Sequence, residues 1–332
     1  MITLTDLPPE LLIDIIEYSI LGNNNTAALL RIHSTISAPA RHIIHSRLRF
    51  TSVTQLARFA HVPGNIELSC APQSIILDLA GGASRQVFQL LRCCFLRCTA
   101  MRHAQRGADG RLLLDSIRLR LHSHTFDKHK NVFDALTLVD PCTFVWTGPD
   151  PPHHFSTAIV SGATVQLFRA LETYTRLEGL TLANVAFPSP RGASLPEAPF
   201  TLPYVPTLRR MRIGQAVFLG PQEVARFALR YVAQTGEETV EQAIKLEKIR
   251  LVDVYKESIW GWRLRRGEVV EAAMAMWKEA HGGLPHEPSS DVESTEARAV
   301  RNDLMSLVSC EAQTERIVGG DRAESTECGF LF

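Results

Sequence analysis

One spacing of apolar residues, apolar-x-x-apolar-x-apolar, returns five times along a chain of 332 residues. The segments are Leu114-x-x-Ile117-x-Leu119, Phe133-x-x-Leu136-x-Leu138, Leu177-x-x-Leu180-x-Leu182, Leu208-x-x-Met211-x-Ile213 and Leu246-x-x-Ile249-x-Leu251, and Ile75-x-Leu77-x-Leu79 reads as a sixth, earlier strand. Alternate residues of a strand share one face, so the pattern marks a strand with one buried side. Between the copies lie stretches with apolar residues at helical steps: Ser84 to Met101, Phe155 to Tyr174 and Pro221 to Ala233. Strand, turn and helix units of this kind cannot bury their apolar faces singly. The sequence therefore predicts an α/β fold in which units stack as a solenoid, with parallel strands on one side and helices on the other.

Asn184 follows the third copy, Asp140 and Asp253 follow the second and fifth, and Gln215 follows the fourth. In this the chain resembles the leucine-rich repeats, which place an Asn after the strand to bond backbone groups in the turn. Copies start at 114, 133, 177, 208 and 246, so the intervals are 19, 44, 31 and 38 residues. Ordinary leucine-rich repeats run roughly 20 to 29 residues, so this array is irregular. Pro188, Pro190, Pro196, Pro199, Pro203 and Pro206 with Gly192 mark one long loop inside it. A last helix is expected over Val269 to His281. Beyond it, residues 282–332 hold ten acidic residues against four basic, a net of −6, and read as a mostly disordered acidic tail with room for a short helix near Arg298 to Val308.

The first 50 residues have a different texture. Asp6, Pro8 and Pro9 open a helix running to about Ile20, with Leu11, Leu12, Ile15, Ile16 and Ile20 on one side and Glu10, Asp14 and Glu17 on the other. Gly22 to Asn25 break it, Thr26 can cap a second helix carrying Leu29, Leu30, Ile32 and Ile36 up to Pro39, and a third is expected over Ala40 to Leu48. So short a unit buries little surface alone and needs a cover from a partner or from the following domain. The stretch Leu4-Thr5-Asp6-Leu7-Pro8-Pro9-Glu10-Leu11-Leu12-Ile13-Asp14-Ile15-Ile16-Glu17-Tyr18 resembles the first half of an F-box, and Leu29 to Ser34 with Ala40-Arg41 and Leu48-Arg49-Phe50 is similar to the fungal F-box-like version. The resemblance implies docking on a Skp-type linker within a cullin ubiquitin ligase. By position, it assigns linker contacts to Leu7, Pro8, Glu10, Leu11, Leu12, Ile15 and Leu30.

Charge excludes some roles. Lys plus Arg and Asp plus Glu each total 35, so no global field pulls the chain toward nucleic acid or an anionic membrane. Locally, residues 84–130 carry ten basic residues against three acidic. Within the repeat array, the residues between buried strand positions are Arg118, Arg120, Thr137, Thr181, Arg210, Arg212, Lys248 and Arg250, a mainly basic row on the open surface. Ordinary solvation is one reading of that row. The other is recognition of an acidic peptide, a phosphorylated segment or the chain's own acidic tail, with Arg118, Arg120, Arg210, Arg212, Lys248 and Arg250 as substrate contacts.

Cys93, Cys94 and Cys98 share a predicted helix, where they suit either a metal or redox pair or plain core positions among Phe88, Leu91 and Phe95. His122, His124, His129, Cys142, His153 and His154 lack the spacing of a zinc site and read as surface histidines. Trp260 and Trp262 suit core packing or a binding anchor. The seven cysteines form no regular framework and no run of about 18 apolar residues occurs, so a soluble intracellular protein, cytoplasmic or nuclear, is expected. No phosphate-cradling, nucleophile-elbow or His-Glu-x-x-His motif is present.

These readings converge on a non-catalytic adaptor without cofactor or metal. It comprises an F-box-like helical unit over 1–50, an irregular leucine-rich-repeat-like α/β domain over 51–281 and the acidic tail over 282–332. Its expected partners are a Skp-type linker with its cullin complex and an unidentified, acidic or phosphorylated protein substrate. Neither nucleic acid nor membrane is expected as a partner. The competing expectation is a repeat scaffold whose N-terminal helices only cap the array.

Overall fold

Eight strands lie side by side in the order in which the chain makes them, every neighbouring pair parallel. A computed structural model describes residues 7–22, 30–61, 68–79, 85–149, 156–189, 200–232, 246–259, 261–281, 294–317 and 320–323. The strands are β1 (Arg47–Phe50), β2 (Ser74–Asp78), β3 (Leu112–Arg120), β4 (Val139–Thr147), β5 (Gly179–Ala186), β6 (Arg210–Val217), β7 (Lys248–Val254) and β8 (Val308–Glu311). The protein is an α/β fold whose sheet stays open, with β1 and β8 at its two edges.

Register explains the shared apolar spacing. Leu48, Ile75, Ile117, Phe144, Leu180, Met211, Ile249 and Val308 are paired across all eight strands and are all buried. Two residues on, Leu77, Leu119, Trp146, Leu182, Ile213 and Leu251 form a second buried row. Each such side chain contributes about 1.5–3 kcal/mol on burial, which makes a one-residue slip of any strand prohibitive.

The helices cover the face to which these rows point. They are α3 (Val53–His61), α4 (Val87–Ala100), α5 (Lys130–Leu136), α6 (Ser161–Leu171), α7 (Pro221–Val232), α8 (Arg266–His281) and α9 (Thr295–Leu307). Leu56, Leu91, Ala135, Leu167, Ala228, Ala273 and Leu304 from these helices join the strand rows in one core. Between α6 and α7 the chain over 200–208 fills the layer, with Phe200 packed on Phe168 and Phe187 at ring-centroid distances of 5.4 and 5.6 Å. No helix among the described residues is long and apolar enough to cross a membrane.

Three buried polar residues sit where the pairing of strands β5, β6 and β7 is interrupted. Asn184, Gln215 and Asp253 have left-handed backbone, with φ of 60°, 45° and 50°, and occupy equivalent places after the buried rows. The Asn184 amide NH2 donates to Gln215 Oε1 at 2.7 Å, its Oδ1 accepts from the Gly148 N–H at 3.3 Å, and Asp253 Oδ1 accepts from the Gln313 N–H at 3.1 Å. The Asn, Gln and Asp positions read from the sequence thus hold backbone and one another. Asp140 does not belong with them: it is the second residue of β4 and accepts from the N–H groups of Thr175 and Arg176.

Several expected elements move. Phe133 to Leu138 is not a strand: residues up to Leu136 form α5, and the strand follows as β4. Its three apolar positions fit a helix face as well as a strand, and Leu136 is buried in either case. At the N-terminal end, Leu30 to Ile32 form a turn. A single helix, α2 (Ser34–Ser46), then runs through Pro39. Burial of Ile36, Ala40 and Ile43 offsets the hydrogen bond that proline removes. Arg47 and Leu48, expected as the end of a helix, belong to strand β1, so the N-terminal unit is tied directly into the sheet.

Residues 294–311 form helix and strand where a mostly disordered tail was expected, and the short helix expected near Arg298 to Val308 is present within α9. Ser294 Oγ accepts from the Ala297 N–H at 3.1 Å and caps α9, whose Ala297, Leu304 and Leu307 are buried, and β8 adds the last strand of the sheet. Charge composition misread this stretch because its apolar residues sit at helical steps. Backbone pairing continues in the antiparallel β9 (Thr314–Ile317) and β10 (Gly320–Ala323). The remainder of the expected tail, 282–293 and 324–332, lies outside the described residues.

Candidate functional site

Helix α1 (Pro9–Gly22) starts on a proline, whose missing N–H costs nothing in a first turn, with Glu10 at the positive end of the dipole. Leu12 and Ile16 are buried against Ile36, Ala40 and Ile43 of α2, with Ile20 and Leu30 at the rim of this small core. The core is separate from the main one. On the other side, Leu11 is 50% exposed, Ile15 40% and Tyr18 81%. Spaced i, i+4 and i+7, they form one apolar stripe along α1.

Of the linker residues assigned by resemblance, Pro8, Glu10, Leu11 and Ile15 are exposed and Leu7 is half-buried. Leu12 is spent inside the α1–α2 core, while Leu30 is half-buried at its rim. Tyr18 joins the stripe and was missed as a contact, although its position, seven after Leu11, carries the helical signal.

The second surface is the sheet face turned away from the helices. Along it run Arg49, Ile76, Arg118, Val145, Thr181, Arg212, Arg250 and Ser309 in one paired row. Arg210 and Lys248 start β6 and β7 in the row beside it, and Arg120 ends β3 in the row on the other side. Thr137 is not on this face, since it caps the end of α5. Arg49 was missed because the first half of β1 was read as the end of a helix, although Arg47-Leu48-Arg49-Phe50 alternates with period two.

The cations differ in their engagement. Arg49 and Arg120 both pair with Asp78, at 3.4 and 3.6 Å, and Arg120 also donates to the Pro149 carbonyl. Arg250 makes a two-pronged bond to Glu311 of β8, 2.8 and 2.6 Å, which holds the Glu311 carboxyl below its usual range. Arg118, Arg210, Arg212 and Lys248 have no ion pair among the described residues. The Arg212 guanidinium is half-buried, its Nε and Nη2 lack acceptors, and burial together with nearby Arg250 lowers its pKa.

The remaining candidates converge on no chemistry. Cys94 and Cys98 are buried core residues, and contact with Cys98 together with burial raises the Cys94 thiol well above its ordinary pKa. Among the described residues no three His, Cys, Asp or Glu side chains are grouped to hold a metal. The rings of His122 and His124 lie 6.3 Å apart, while His153 and His154 lie outside the described residues. A cleft of about 340 Å³ opens beside His42, Cys70, Gln73 and His103. The Cys70 thiol donates to the His42 carbonyl, not to an imidazole, and burial raises its pKa. Trp262 stands 73% exposed on the loop after β7, and Trp260 lies outside the described residues.

Compared with known proteins, the chain matches no family model and no curated sequence.

Proposed function

We propose that this protein is a substrate adaptor of the F-box type. The α1 stripe would dock on a Skp-type linker of a cullin ubiquitin ligase, and a leucine-rich-repeat-like solenoid would offer its open sheet face to a target protein. The observation that carries the reading is the double-sided helix α1. Leu12 and Ile16 already bury one side against α2, yet Leu11, Ile15 and Tyr18 leave a second apolar side bare. Covering what remains exposed of Leu11 and Ile15 is worth about 0.6–1.5 kcal/mol each, enough to reward a dedicated partner. A helix that merely capped the array would turn its apolar residues toward the main core, whereas among the described residues the buried side chains of α1 cluster with those of α2 and the turn before it.

The test is co-expression of the full chain with a Skp-type linker. The expected result is a stoichiometric complex that Leu11→Asp or Ile15→Asp abolishes without loss of secondary structure. Absence of a complex with the unsubstituted chain, or a complex indifferent to both changes, leaves the scaffold reading in its place.

A further inference from the structure

The open face has a charge pattern along its length that specifies more than an anionic partner. Arg118 of β3 and Arg212 of β6 occupy the same paired row, with Val145 and Thr181 between them. Beside those two, Thr143 and Gly179 are also uncharged and only partly exposed. The face is therefore two cationic ends around a low, neutral middle. One end is Arg118, and the other is Arg210, Arg212 and Lys248. Arg49 and Arg120 share the single carboxylate of Asp78, which offsets one of their two charges and leaves the other beside Arg118 at the first end. Arg250 does not add to the second, because Glu311 holds it.

The ends are three strand steps apart, and strands are spaced about 4.8 Å, so the cations stand roughly 14 Å apart along the sheet. An extended chain advances about 3.3–3.6 Å per residue, which makes that span about four residues. The pair between Arg250 and Glu311 displays the local preference: a carboxylate gripped by two guanidinium nitrogens on the same row.

We infer that the open face binds an extended acidic segment of a target protein laid across the strands. One carboxylate sits at Arg118, and a second, about four residues along, sits at the Arg210, Arg212 and Lys248 cluster. Small or apolar residues between them lie over Val145 and Thr181. The inference rests on the reading of this face as the target surface of an adaptor. Unlike that reading, it fixes the chemistry and spacing of what is bound. Burial makes the charge of Arg212 costly while no acceptor faces its Nε and Nη2, and an incoming anion relieves that cost.

The test is fluorescence anisotropy with the full chain and three labelled peptides of equal length and flanks. One contains Glu-Ala-Val-Ala-Glu, one the same residues with the glutamates adjacent, and one the first sequence with both glutamates replaced by phosphoserine. The spaced glutamate peptide should bind about tenfold more tightly than the adjacent one. Arg118→Ala and Arg212→Ala should each remove that advantage, and Glu311→Ala should strengthen binding by freeing Arg250. Equal binding of the two glutamate peptides, no binding of the spaced one, binding of the phosphoserine peptide alone, or indifference to both arginine changes overturns the inference. Leu11→Asp serves as the separating control. It should lose the linker complex and keep spaced-peptide binding; no linker complex with the unsubstituted chain counts against the adaptor alone, and a linker complex without spaced-peptide binding counts against this inference alone.

Discussion

Asn184→Ala should be among the costliest single changes outside the apolar core. Asn184 is 2% exposed and sits at φ 60°, where a residue other than glycine or asparagine is strained. Alanine removes the acceptor of the buried Gly148 N–H, a loss of about 1–3 kcal/mol for an orphaned donor. The 2.7 Å bond to Gln215 goes as well, for about 1 kcal/mol net. The left-handed backbone adds about 1 kcal/mol against alanine. Together these come to roughly 3–5 kcal/mol. Asn184→Gly loses the same bonds without the strain and should cost about 1 kcal/mol less. Urea denaturation followed by tryptophan fluorescence is a suitable assay, because Trp146 is buried in the neighbouring strand β4, two residues before Gly148. A cost under about 1 kcal/mol for alanine, or equal costs for alanine and glycine at equal slopes, would refute the argument from backbone strain and the Gly148 donor.

Other outcomes are equally open to measurement. Gly148→Ala would place a Cβ 2.8 Å from Asn184 Oδ1 and 2.9 Å from the Ala158 Cβ, so it should destabilise the chain and be non-additive with Asn184→Ala in a double-mutant denaturation cycle. His45 Nδ1 accepts from the Ser69 N–H at 2.8 Å, and burial, then Arg41 and His42, lower its pKa below 6.5. The unfolded chain therefore binds the proton more readily, and this stabilisation is complete above pH 6.5 and drains away as pH falls below it. The carboxyls of Glu268 and Glu311, held below 4.5, act only in more acid solution, so His45→Gln should flatten the stability profile between those two values. Glu311→Ala should cost only about 1 kcal/mol, its pair with Arg250 being one-third exposed, yet should speed amide exchange in β8 more than in β5.

The sheet was legible wherever alternation and apolar spacing agreed. Five of its strands, β2, β3, β5, β6 and β7, lie over five of the six segments singled out, because one-sided burial imposes the same period on each of them. Strand β4 escaped because its burial is continuous at both ends: Val139, Asp140 and Pro141 are all buried, as are Trp146 and Thr147, so alternation fades there. Strands β1 and β8 escaped because four residues at a sheet edge carry too short a pattern to outweigh the helices beside them. The basic row was legible for the same reason as the strands, since it is the complement of the buried rows. Its partners were not, because Asp78 and Glu311 meet their arginines only through pairing of distant segments.

The two surfaces are mechanically coupled by a joint that has no slack. Helix α2 ends at Ser46 and β1 begins at Arg47, so no residue separates the support of the α1 stripe from the first strand of the sheet. The joint is also bonded across: the Gln73 N–H donates to the Ser46 carbonyl at 2.7 Å, the Ser46 hydroxyl donates back to Ile43, and Arg47 reaches Glu17 of α1 at 3.2 Å. A flexible linker would let whatever α1 carries sample many positions over the open face. Here helix and strand adjoin with no residue between them. On the proposed adaptor reading, a partner seated on Leu11, Ile15 and Tyr18 stands at a fixed distance and angle from a segment seated between Arg118 and Arg212. Holding one polypeptide at a set place relative to another requires so direct a joint of such an adaptor.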